Sequence, residues 1–333
     1  MKPRVLVLYN EPFHLDEPSE TDVVNEVGDV QAALEAVGWA VEPVPVSGAR
    51  LAGVFDRLVS LRDRVVVFNL TEGLDGEARH EPVVSGLLEL YGIRYTGSGP
   101  MAMAWALDKS VAQAILAQAG VPTAPSALFR GVPDDATCAA LDYPRVLKPA
   151  REDGSLGITA DSFVDSPARL RARVAALLEE FRQPVLAEAY LPGREFNVAV
   201  IGEGPGATAL PVAEMEFVGY ADGEPRMVTH GAKWASGSED DLRTVPRCPA
   251  RLTPDLAARI AALVVTGYRA FGCRDYARLD LRLDAAGEPR VIDVNPNPDI
   301  SRSAGLARAV AASGRSYEEF IGSLVEAAWT RSH

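Results

Sequence analysis

The stretch from Ala277 to Asn295, ARLDLRLDAAGEPRVIDVN, leaves a folding chain few options. A strand period of two puts Leu279, Leu281 and Leu283 on one face of its first half, and Arg278, Asp280 and Arg282 on the other. In the second half the same period sets Val291, Asp293 and Asn295 against Ile292 and Val294. The halves read as a hairpin. A two-residue turn at Ala286-Gly287 places Asp280 opposite Asp293 and Arg278 opposite Asn295. Carboxylates directly across a ladder repel each other. Two arrangements relieve this: a solvated face softened by the arginines, or a shared divalent cation with Asn295 as a neutral oxygen ligand. Oxygen-only donors favour Mg²⁺, which substrate phosphates usually complete. On pattern alone both arrangements stay open, and the solvated face is the commoner one.

The first third of the chain alternates strands and helices. Arg4–Tyr9 and Arg64–Phe68 are apolar strand runs, and Val41–Val46 alternates as a strand. Val23, Val27, Val30, Leu34 and Val37 recur at helical spacing before Gly38. Pro82–Leu90 predicts a helix and Ile93–Tyr95 a short strand. Such an α/β unit takes ligands beyond the carboxyl ends of its strands, here at Asn10–Ser19, Asn69–Arg79 and Thr96–Pro100.

The middle third predicts one helix over Met103–Ala119 carrying Asp108 and Lys109. A strand Tyr143–Pro149 follows, with Lys148 in its apolar run, then the loop Ala150–Gly157, a helix Pro167–Phe181 and a strand Pro184–Leu191. The loop's glycines would let backbone N–H groups face an anion beside Lys148; a surface turn with a strand lysine is the alternative. The last third predicts strands at Glu195–Ile201 and Ala209–Phe217, and a long polar stretch over Val218–Arg247. A helix Pro254–Gly272, the hairpin, and helices near Ser303–Ala312 and Tyr317–Thr330 complete it.

Composition removes several function classes. The 33 Lys and Arg against 46 Asp and Glu give a net charge of −13, which disfavours a nucleic-acid or anionic-membrane partner. No apolar run reaches bilayer length, and MKPRVLVLYNEP reads as a first strand, not a signal peptide. Cys138, Cys248 and Cys273 form neither a CxxC pair nor a disulfide framework, which fits a reducing cytoplasm. The four histidines show no metal-ligand spacing.

In chain order, the segments YTGSG, LDKSVAQAILAQAGVPTAP, VLKPAREDGSLGI, VLAEAYLPGREFNVAVIG, HGAKWASG, ARLDLRL and VIDVNPNPDIS resemble the ATP-grasp superfamily. Within it they resemble the D-alanine–D-alanine ligase-like family. The resemblance implies a three-domain ATP-grasp fold, α/β overall and α+β in its ATP-grasp part. It divides the chain into residues 1–104, 105–190 and 191–333, with ATP between the last two.

The roles that follow are those the resemblance implies. Lys109 and Lys148 contact ATP phosphates, and Ser155 with the amides of Gly154–Gly157 closes over the terminal one. Glu188 accepts from the adenine amino group, the backbone at Ala189 and Leu191 meets the base edge, and Glu195 holds the ribose. Lys233 reaches phosphate and substrate from a mobile stretch. Asp280, Asp293 and Asn295 hold two Mg²⁺, with Mn²⁺ as an alternative. The hairpin pattern leads to the same three residues. Arg278 steadies the acyl phosphate. Arg278, Lys233 and Ser155 form the catalytic set, and a homodimer acting on small amino-acid-like substrates is the implied assembly.

The sequence departs from the family pattern on the substrate side. Glu11, Asp22 and Glu26 are the acidic candidates where a Ser-x-Glu cluster is usual. Trp234 stands where a Tyr is usual. The usual Asn-x-x-Pro-Gly-Met ending reads Asn295-Pro296-Asn297-Pro298-Asp299-Ile300, so Asp299 replaces a Gly. Ser301, Arg302 and Ser303 become candidates for a substrate carboxylate. The expected function is an ATP-dependent carboxylate–amine ligase of altered specificity. A housekeeping D-alanine–D-alanine ligase and a nucleotide-binding regulator without turnover are the alternatives.

Overall fold

The computed structural model describes residues 3–14, 21–235 and 237–331. Part of the expected loop Asn10–Ser19, and His333, lie outside the described residues. Among the described residues the chain builds three sheets.

The first sheet is parallel, with β1 (Arg4–Asn10) between β2 (Val41–Val46) and β3 (Val65–Leu70). Every residue of β3 is buried, as a parallel strand covered on both faces requires. Helix α1 (Val23–Ala36) joins β1 to β2, and α2 (Leu51–Leu61) joins β2 to β3. Helix α2 adds to the elements expected from sequence, and its Leu51, Val54, Phe55 and Leu58 hold helical spacing. Helix α3 (Glu81–Leu90) follows. The strand expected at Ile93–Tyr95 reduces to one bridge between Tyr95 and Val67.

The single helix expected over Met103–Ala119 is two, α4 (Pro100–Leu107) and α5 (Lys109–Gln118). Asp108 separates them at φ −90° and ψ 100°, and its carboxylate accepts from the amides of Ser110 and Val111. A capping Asp starts a helix better than it continues one. The break makes Lys109 the first residue of α5, with its amide donating to the Ala150 carbonyl at 2.9 Å.

The second sheet runs β4 (Ser126–Phe129), β7 (Val185–Ala189), β5 (Arg145–Pro149), β6 (Phe163–Val164), all antiparallel. The short helix α6 (Asp135–Ala139) and α7 (Pro167–Phe181) flank it, and α7 brings Leu170, Val174 and Leu177 into its core. The third sheet orders β11 (Thr244–Arg247), β10 (Ala213–Phe217), β8 (Glu195–Glu203), β12 (Arg274–Leu283) and β13 (Pro289–Asn295), with β9 (Thr208–Ala209) beside β8. The polar stretch between β10 and β11 contains α8 (His230–Trp234) and α9 (Glu239–Arg243). Helix α10 (Pro254–Ala270) covers the third sheet with Ile260, Val264 and Tyr268.

The hairpin forms, with two departures that cancel. Its turn is one residue longer than expected, the Asp284 amide donating to the Glu288 carbonyl, so Leu281 pairs with Val291. A β-bulge then inserts Ile292 and restores Asp280 opposite Asp293 and Arg278 opposite Asn295. The bulge overturns one expected face. Val291 and Val294 are both buried, whereas Ile292 and Asp293 are both partly open.

The last helices, α11 (Gly305–Ala312) and α12 (Tyr317–Thr330), return to the first sheet. Val310, Phe320 and Leu324 share a core with Val5, Val7 and Phe68. This draws residues 296–303 over the carboxyl ends of β1 and β3. The Asn297 side-chain amide donates to the Thr71 carbonyl at 3.2 Å. Among the described residues no helix is long and apolar enough to cross a membrane.

Candidate active site

Two buried lysines meet at the seam between the second and third sheets. The Lys148 ammonium lies 2.8 Å from the Glu188 carboxylate and donates to the Ile292 carbonyl at 3.2 Å. The bulge supplies that acceptor. Lys109 donates to the Glu152 carbonyl and lies 3.6 Å from Asp153 and 4.0 Å from Asp293. Burial works against its charge, yet Asp293, Asp153 and Glu188 outweigh burial and hold its pKa above the ordinary lysine value. Lys109 is therefore held in place with its charge favoured, and Lys148 is fixed between Glu188 and the Ile292 carbonyl.

The loop after β5 coils through Gly154 (φ 62°) and Ser155 (φ 63°), both left-handed. Helix α8 sits on this loop. The Trp234 indole N–H donates to the Gly154 carbonyl at 2.9 Å, and the His230 amide donates to the Ile158 carbonyl at 3.0 Å. Lys233 stands 4.9 Å from the Trp234 ring centre. Its surroundings lower its pKa, first through burial and then through the charge of Arg278. Phosphate between Lys233 and Arg278 would remove that mutual repulsion.

On the hairpin, Arg278 grips Asp280 with two hydrogen bonds of 2.8 and 2.9 Å, and the Asn197 amide donates to the same carboxylate at 2.8 Å. The Asn295 side-chain oxygen accepts from the Asn297 amide at 3.1 Å. Among the described residues no three His, Cys, Asp or Glu side chains converge as a cage. The oxygen set here is two carboxylates and one amide. That donor chemistry fits Mg²⁺ better than a transition metal, because Asp280 Oδ2 and the Asp293 carboxylate keep lone pairs and the missing ligands can be phosphate and water.

Glu188, Ala189, Leu191 and Glu195 follow one another from β7 through the link into β8. Glu188 is buried and accepts from the Gln113 amide at 2.7 Å as well as pairing with Lys148. The Ala189 amide is committed to the Pro125 carbonyl at 2.7 Å. Glu195 is buried 3.5 Å from Arg282, and burial raises its pKa although Arg282 opposes the rise.

The substrate candidates divide. Glu26 is buried, accepts from the Ile300 amide at 2.8 Å, and has its pKa pushed well up by burial and by Glu72 and Asp299. Asp22 and Asp299 share this neighbourhood. Asp299 accepts from the Ser301 amide at 2.8 Å, and the Ser301 and Ser303 hydroxyls are 3.3 Å apart. The structure does not bring two candidates to the cluster. Glu11 pairs with Arg50 at 3.4 Å on an exposed surface. Arg302 is bound to Glu318 at 2.7 Å, takes its amide to Asp29, and lies over the Tyr317 ring. The strand end Asn69–Arg79 is expected from sequence to face ligand, but Glu72 within it and Glu81 just beyond it carry no motif that singles them out. Burial pushes the pKa of Glu81 well up, with Asp153 and Glu72 adding to it.

A family model described as the C-terminal domain of D-Ala–D-Ala ligases matches residues 115–326. A D-alanine–D-alanine ligase of Cupriavidus necator is 34% identical over 81% of this chain and 77% of its own length. The chain belongs to the D-alanine–D-alanine ligase family. That family consists of ATP-dependent ligases that form C–N bonds. Another member-like relative, an uncharacterised protein of Sinorhizobium fredii, is also 34% identical, over 80% of this chain and 75% of its own. The ATP-grasp fold is shared with a D-alanine–D-alanine ligase of Bacillus anthracis solved in complex with ATP. The TM-score is 0.76 at 20% identity, covering 98% of this chain and 97% of that one.

Proposed function

We propose that this family member is an ATP- and Mg²⁺-dependent carboxylate–amine ligase. It joins amino acids or close relatives through an acyl phosphate, releases ADP and phosphate, and departs in specificity from two D-alanines. The observation that carries this reading is the meeting of Lys109, Lys148, Lys233 and Arg278 with Asp280 and Asp293 beside an acid cluster that includes Asp22, Glu26, Glu72 and Asp299. Cations serve the phosphates, and acids serve an ammonium group.

Lys109 and Lys148 exchange their carboxylate partners for ATP phosphates, so little reorganisation accompanies binding. The substrate carboxylate attacks the γ-phosphorus, Arg278 and Lys233 hold the resulting acyl phosphate, and an amine then displaces phosphate. Asp280, Asp293 and Asn295 would hold Mg²⁺, which supplies neutralisation of phosphate charge when bound. The Trp234–Gly154 contact keeps α8 over the phosphate loop and water away from the acyl phosphate. Glu188, Ala189, Leu191 and Glu195 take the adenosine, and Ser155 the terminal phosphate. Ser301 and Ser303 remain candidates for the substrate carboxylate. Confinement of the three sheets to residues 4–70, 126–189 and 195–295 supports division near residues 104 and 190. A cytoplasmic homodimer completes the proposal.

The names of curated relatives favour a second reading, a housekeeping D-alanine–D-alanine ligase. ADP release across amino-acid pairs, with product mass, separates the two. Robust turnover on D-alanine alone at low concentration would sink the altered specificity, and no ADP with any pair would sink the ligase.

A further inference from the structure

Amide formation needs a neutral amine, but amino acids arrive at pH 7 as ammonium ions. A group at the site must take a proton. The position that usually carries Tyr is Trp234, whose indole N–H is a donor to the Gly154 carbonyl and has no lone pair to offer a proton. Most nearby carboxylates are engaged. Arg278 grips Asp280, Lys109 lies beside Asp153, the Ser301 amide binds Asp299, the Ile300 amide binds Glu26, and Asn25 binds Asp22.

Glu72 differs. Its backbone is pinned: its amide donates to the Asn10 side chain at 3.1 Å, and the preceding Thr71 carbonyl accepts from Asn297. Thr71, Gly73 and Leu74 around it are buried, yet the Glu72 side chain is exposed. Among the described residues its carboxylate has no hydrogen-bond or ion-pair partner. It stands at the carboxyl end of β3, where the first sheet faces residues 296–303.

We propose that Glu72 accepts the proton of the incoming ammonium and is the general base of the amide-forming step. This rests on the ligase reading above. The N–H bond breaks and its proton goes to a Glu72 oxygen. The freed lone pair forms the C–N bond at the acyl carbon, and the C–O bond to phosphate breaks with its electrons leaving on phosphate. The second amine proton departs with that phosphate, and Glu72 returns its proton to water.

The surroundings suit the task. Lys233 of α8 lies within electrostatic reach of Glu72, as do Asp299, Asp153, Asp22, Glu26 of α1, Glu81 of α3 and Tyr276 of β12. Desolvation by the surrounding cleft walls raises the Glu72 pKa to about 7; Lys233 opposes this, and Asp299, Asp153 and Asp22 add to it. Its side chain is open to the cleft, so water tempers the shift until substrate displaces it. A base poised near the working pH transfers protons most effectively.

The test compares two nucleophiles, using full-length protein, Mg²⁺–ATP and an amino acid that supports ADP release. Hydroxylamine is neutral at pH 7, whereas the amino substrate is an ammonium ion. In Glu72→Gln, amide formation should fall about 100-fold relative to hydroxamate formation. The rise of the amide rate through pH 7 should disappear with it, and Glu72→Asp should recover part of the rate. An unchanged ratio, or equal loss with both nucleophiles while ATP still binds, overturns the assignment. If wild type forms no hydroxamate with any amino acid, the acyl-phosphate reading fails and takes the base with it.

Discussion

Asp293 carries two duties at the residue scale. It helps keep Lys109 charged, and it faces Asp280 across the ladder, where Arg278 and Lys109 temper the repulsion and a divalent cation would relieve it further. Asp293→Ala should therefore lower ADP formation at least ~100-fold and weaken Mn²⁺ binding measured by magnetic resonance. Wild-type rates in that variant would remove Asp293 from the ligand set. This residue was legible because its partner lies on the same hairpin. Glu72 was legible only as part of a loop at a strand's carboxyl end, because its exposure on a buried backbone arises from Asn10 and Asn297, both distant in the chain.

At the scale of elements, the site depends on three local irregularities. Asp108 breaks a helix to present Lys109, the Ile292 bulge presents a carbonyl to Lys148, and α8 docks on the loop after β5. The docking is testable. Trp234→Phe keeps an aromatic side chain and removes one N–H donor worth about 1 kcal/mol. Amide-exchange protection over residues 153–158 should fall about fivefold in the variant. Unchanged protection would mean that the indole contact does not hold α8 in place. Sequence pattern showed an Asp beside a Lys but not the break between them, since helical spacing continues on both sides of Asp108.

At the scale of the whole molecule, return of α12 to the first sheet closes the chain into one cleft and buries Glu26 against residues 299–300. Burial raises the folded-state pKa of Glu26 above its ordinary value of about 4.5. The folded protein then binds more protons than the unfolded chain above that pH, so this group erodes stability as pH rises from 4.5 through the raised value. Glu26→Gln removes the penalty and keeps an oxygen for the Ile300 amide. Its melting temperature should exceed wild type by about 2–4 °C at pH 8, roughly the shift from one kcal/mol, and the gap should close as pH falls below about 4.5. A gap that stays equal across that range would refute the linkage.

The sequence by itself determined whatever depends on neighbours along the chain. The pairing of Asp280 with Asp293, the apolar faces of β12 and α1, and the Gly-containing loop after Lys148 follow from strand and helix periods within short segments. Only the tertiary structure decided which side chains meet across the cleft. It joined Thr71 to Asn297, Lys109 to Asp293, and Glu26 to Ile300, and it turned Arg302 away toward Glu318. The physical reason is that apolar burial is non-directional. A periodic pattern states that a face will be covered, and the packing of distant elements chooses what covers it, and so chooses the acids and bases left facing the substrate.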